Sequence, residues 1–173
     1  MKAKLPELKR ELESLPQPEL VRLCLRIAKH KTENKELLDY LLWSANDPLL
    51  YAQEFKLEIL LPFEMPFVNA YNFTKSIRKS LRLISKYLRF TGSRQGECEL
   101  LLALVESYHT NYRREFRTAA LSKIMFRCLK KAATNIAKLH EDIQADYTSN
   151  YNDLLRQTIT RLGTEYALDQ SYI

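Results

Sequence analysis

The stretch Tyr71–Thr91, YNFTKSIRKSLRLISKYLRFT, decides the fold class. Ile77, Leu81, Ile84 and Leu88 recur at steps of three and four, the period of a helix with one apolar edge. Lys75, Arg78, Lys79, Arg82, Lys86 and Arg89 fall on the other side, within an arc of about 100° on the helical wheel. No apolar/polar alternation of the kind that marks a strand occurs here or elsewhere in the chain. Gly92 follows Thr91 and supplies a stop.

Working outward, the same period recurs. A first helix is expected from Pro6 to Leu15, with Leu5, Leu8, Leu12 and Leu15 on one face. Pro16 stops it, and Pro18 suits the first turn of a second helix. That helix turns Leu20, Leu23, Cys24, Ile27 and Ala28 inward and Arg22, Arg26 and Lys29 outward. Thr32 is read as the cap of a third helix whose core face is Leu37, Leu38, Leu41 and Leu42. Asn46-Asp47-Pro48 starts a fourth, running to Leu60. The sixth runs from Gln95 to about Asn111, the seventh from Arg117 to His140, and the eighth from Asp142 to Leu162, with Gly163 as its cap.

The expected fold is therefore all-α, with about eight helices in a bundle-like or short solenoid-like array. No repeat of solenoid length is found. The prolines of Pro62-Phe63-Glu64-Met65-Pro66 cannot sit inside one straight helix, and they mark the best internal boundary. They divide one compact unit into a four-helix segment, residues 1–61, and a helical segment with a basic face, residues 67–163. Residues 164–173 are read as a frayed tail.

Three glycines in 173 residues leave little room for phosphate-cradling loops or tight corners. The three cysteines, Cys24, Cys98 and Cys128, are odd in number, widely spaced and set in helical contexts. They read as reduced thiols packed as small apolar residues. No apolar run approaches the roughly 20 residues that span a bilayer, and the N-terminal residues lack a signal-peptide core. A cytoplasmic protein without a membrane segment is the expectation.

Leu20–Leu42, LVRLCLRIAKHKTENKELLDYLL, resembles a stretch shared by a group of uncharacterised all-helical bacterial proteins. The resemblance implies a helical cytoplasmic protein and carries no activity.

Charge is the one feature that points to a partner. Residues 65–140 hold 15 Lys+Arg against 4 Asp+Glu, whereas residues 1–64 hold 10 against 11 and residues 141–173 hold 2 against 6. The seventh helix repeats the pattern of the fifth. Arg117, Lys123, Arg127, Lys130, Lys131 and Lys138 share an arc of about 140°. Like charges at successive turns repel, and neither helix interleaves glutamate to relieve this. These twelve basic residues are the candidate polyanion-binding set. Tyr71, Phe73, Tyr87 and Phe90 flank the first stripe, and an exposed one could stack on a base. The competing reading is a solvated face balanced by the acids of helix 8 and the tail, Glu141, Asp142, Asp146, Asp153, Glu165 and Asp169.

Other chemistries find less support. Glu106-x-x-His109 has di-iron bundle spacing but lacks a second pair, so His109 reads as a half-exposed histidine near a helix end. His140-Glu141-Asp142 reads as an acidic helix start. No nucleophile elbow, phosphate loop, dinucleotide fingerprint or zincin motif occurs. Trp43 and most tyrosines are expected in the core. No catalytic residue, metal or cofactor is assigned. The leading reading is a non-enzymatic helical binding or scaffolding module, with an unknown protein partner or self-association. A nucleic-acid-binding protein comes second and an enzyme with a site assembled across helices last.

Overall fold

The structure, a computed structural model, describes residues 3–163, and the tail expected at 164–173 lies outside the described residues. Eight α-helices and no strand occur among the described residues: α1 (Leu5–Ser14), α2 (Gln17–His30), α3 (Thr32–Asp39), α4 (Pro48–Leu60), α5 (Ala70–Thr91), α6 (Arg94–Thr110), α7 (Ala119–Ile136) and α8 (Glu141–Leu162). A π-helical turn, Tyr40–Ser44, continues α3, and 3₁₀ turns occupy Leu61–Phe63 and Arg114–Phe116. The chain forms two units that divide between Asn46 and Asp47.

The first unit holds α1, α2 and α3. Thr32 is the first residue of α3 rather than its cap; Lys31 takes that place, with no side-chain bond. Ala28 and Tyr40 are the unit's only buried apolar side chains among the described residues. The expected inward set is therefore largely outward: Leu23, Ile27, Leu41 and Leu42 are exposed, and Trp43 is 73 % exposed. A chain segment this short has too little interior to enclose its own apolar edge.

The second unit is organised around α6. Cys98 and the run Leu100–Val105 are buried on every side, as befits a helix apolar around most of its circumference. α6 packs on α4, α5, α7 and α8. One central helix thus carries the packing of the unit. Asp47 caps α4, its Oδ1 accepting from the amides of Leu49 and Leu50 at 3.1 and 2.9 Å.

The prolines at 62 and 66 mark a corner inside this unit, not its edge. Leu61–Phe63 tightens the end of α4, and Phe63 and Phe67 pack edge-on against each other and against Phe73 of α5. Two hydrogen bonds then fix α5 along α4: Ser80 Oγ donates to the Ile59 carbonyl at 2.8 Å in the interior, and Tyr87 Oη donates to that of Pro48 at 2.7 Å. No helix is long and apolar enough to cross a membrane among the described residues.

Candidate polyanion-binding face

α5 begins where Asn69 accepts the Asn72 amide at 2.9 Å, and it ends at Gly92 with φ of 65°. Phe73, Ile77, Ser80, Ile84 and Tyr87 face the core. Burial of that edge fixes the opposite one outward. Lys75, Arg78, Lys79, Arg82 and Arg89 are exposed. Lys86 is half-buried, its Nζ 5.3 Å from the centroid of the Phe55 ring. Lys75, Arg78, Lys79 and Arg82 make no ion pair with any described residue. Lys75, Lys79 and Arg82, with Leu61, Pro62 and Ser76, line an open groove of about 350 Å³.

The second stripe is shorter than the sequence indicates. α7 carries Lys123, Arg127, Lys130 and Lys131 on its exposed side. Arg117 lies before the helix, and its Nη2 donates to the Leu162 carbonyl at 2.8 Å, which closes the end of α8. Lys138 lies in the turn beyond Ile136. Lys131 pairs with the carboxylate of Glu97, whose side chain is only 2 % exposed. Glu97 also accepts from Asn135 Nδ2 at 2.8 Å, so Lys131 is tied to a buried charge and is not a free cation. α5 and α7 both pack on α6 rather than side by side, and α8 packs on α7 and α6 while leaving the stripe cations exposed.

Of the four flanking aromatics, Phe73 and Tyr87 are fully buried and Phe90 is half-buried. Only Tyr71, 73 % exposed, presents a free ring.

His109 is not half-exposed but buried at 6 %. Its Nε2 lies 2.8 Å from Thr158 Oγ1, whose own proton goes to the Leu154 carbonyl at 2.7 Å. Thr158 therefore accepts, so Nε2 carries the proton and Nδ1 faces Arg161 Nη1 at 3.3 Å. Burial, reinforced by the Arg161 guanidinium, lowers its pKa to about 4. Nothing in the sequence marks Thr158 or Arg161 as its partners. Glu106, the other half of the expected pair, is exposed. His140 caps α8, and Glu141 and Asp142 fill the first turn. Among the described residues, no three His, Cys, Asp or Glu side chains come together.

Cys98 and Cys128 are buried, and burial pushes both thiols up to about 12; Cys24 is exposed, contrary to its reading as a packed residue. Tyr108 is fully buried, and its Oη has no hydrogen-bond partner among the described residues. An unsatisfied buried hydroxyl costs stability, so Tyr108→Phe is expected to leave the fold unchanged or to stabilise it by about 1 kcal/mol. Calorimetry checks this; a loss of about 2 kcal/mol or more would mean that the hydroxyl is bonded.

No protein-family model, curated protein or solved structure matches this chain.

Proposed function

We propose that the chain is a non-enzymatic binding module whose α5 face receives a nucleic-acid backbone. The observation that carries this reading is the row Lys75, Arg78, Lys79 and Arg82, exposed along a groove and without an ion pair among the described residues. A face balanced by the acids of α8 would show these cations engaged. Spacing favours phosphates over scattered carboxylates. From Lys75 to Arg89 the axial rise is about 21 Å, so six charges follow one another at about one per 4 Å. A duplex presents a phosphate about every 3.4 Å along each strand. The sequence carries no recognisable base-reading motif, so contacts go to phosphate and sequence preference is weak.

Fluorescence anisotropy with labelled single- and double-stranded oligonucleotides tests the reading. With four phosphate contacts to a duplex, affinity falls about a hundredfold between about 50 and 200 mM salt. Lys75→Glu, Lys79→Glu and Arg82→Glu together face away from Ile77 and Ile84, so they leave the fold intact. They are expected to weaken binding at least about a hundredfold at low salt, where each lost contact is a lost counterion release. Arg127→Glu measures the α7 stripe separately. Absence of oligonucleotide binding by the unmodified protein at low salt would overturn the proposal.

A further inference from the structure

We propose that two copies of this chain pair through their first two helices: α1 of one copy lies antiparallel along α2 of the other, and the reciprocal contact closes a two-fold dimer. The starting observation is that every residue of α1 is exposed. Leu8 and Leu12 on α1 are 46 and 45 % exposed, and Leu23 and Ile27 on α2 are 37 and 59 % exposed. A helix of ten residues is below the roughly 12–15 at which an isolated helix holds in water, so α1 requires a partner.

Its own α2 is badly placed to be that partner. Leu15 and Pro16 are both extended, and α2 begins at Gln17. The residues needed to turn the chain back are already helical. A second copy is free of that constraint.

The receiving surface is formed. Arg26, Ile27, Lys29, His30 and Asn34 line an open groove of about 380 Å³ on α2 and α3, an apolar floor with a cationic rim. On α1, Glu11 flanks the leucine edge on the same side as Arg26 flanks the apolar edge of α2. When two helices face each other in opposite directions, like flanks meet. The register that sets Leu8 on Ile27 and Leu12 on Leu23 brings Glu11 to Arg26. The opposite flank of α1 is occupied by its own pair, Lys9 with Glu13 at 3.5 Å. One side of α1 is thus neutralised within the helix, and the other presents Glu11 to Arg26.

Sedimentation equilibrium of the full chain, with helicity followed by circular dichroism, tests this. The unmodified protein is expected to dimerise in the micromolar range. Leu12→Asp, at an exposed position, is expected to give a monomer with unchanged helicity in the remainder of the chain. Glu11→Lys and Arg26→Glu should each weaken the dimer about tenfold, because each reverses two symmetry-related contacts. Carried together in one chain, the two substitutions should restore it. The proposal is overturned by a monomer up to about 100 μM, whether or not that monomer adheres to lipid vesicles. It is equally overturned by a dimer indifferent to Leu12→Asp, or by failure of the double exchange to recover affinity.

Discussion

Gly96→Ala is expected to destabilise the protein by about 2–3 kcal/mol, although in an exposed helix interior the same change stabilises by about 1 kcal/mol. The reason is Tyr87. A Cβ on Gly96 would lie 1.9 Å from Tyr87 Oη and 2.7 Å from its Cζ. Tyr87 has nowhere to retreat: it is fully buried, its hydroxyl is bonded to the Pro48 carbonyl, and its ring packs on Tyr51 and Phe55 at 5.8 Å from each. Accommodating the methyl group requires α5 and α6 to separate or the hydroxyl to lose its partner, and either outweighs the gain in helix propensity. For a chain of this size the melting temperature should fall by about 5–10 °C. Adding Tyr87→Phe removes the atom at 1.9 Å but leaves the ring carbon at 2.7 Å, so the double variant should recover only part of the loss. A thermal melt in which Gly96→Ala matches or exceeds the parent would refute the close approach of α5 and α6 at this point.

Gly96 illustrates where the sequence stops being legible. Its helix was readable from the run Leu100–Val105, and so were the cap at Asp47 and the stop at Gly92, because each is a local property of consecutive residues. What glycine admits at position 96 is a ring nine residues earlier on another helix, and no local pattern records that. The first unit shows the second kind of limit. Leu20, Leu23, Ile27, Leu41 and Leu42 have the right period, but periodicity says which face is apolar, not whether anything covers it. The prolines at 62 and 66 show the third. They correctly forbid a continuous helix, yet a helix break becomes a corner rather than a boundary once Phe63, Phe67 and Phe73 pack across it. For the basic face, the fifth-helix stripe was legible because one helix carries all of it. The seventh-helix stripe was overdrawn: Arg117 and Lys138 lie outside the helix, and Arg117 and Lys131 have tertiary partners, Leu162 and Glu97, far along the chain.

His109 belongs to the same long-range class, its partner Thr158 lying 49 residues away, and it makes stability pH-dependent in a defined window. An unfolded chain protonates this imidazole near its ordinary value of about 6.5. The folded protein holds it down to about 4, first through burial and then through the guanidinium of Arg161. Its position in the last turn of α6 would favour the cation, but burial wins. Above pH 6.5 both states are neutral at this site, and the contribution is nil. As pH falls from about 6.5 to 4, the unfolded state takes a proton that the folded state refuses, so stability is lost as acid is added. The loss is about 3 kcal/mol once pH has passed through the folded value. His109→Gln keeps a donor for Thr158 and removes the titration. Urea unfolding of both proteins at a series of pH values isolates the effect, since the carboxylates common to both cancel in the difference. The stability of the parent relative to His109→Gln should decline by about 3 kcal/mol between pH 7 and pH 4. A difference that stays flat across that range would show that the imidazole titrates alike in both states, and the buried neutral histidine bonded to Thr158 would have to be abandoned.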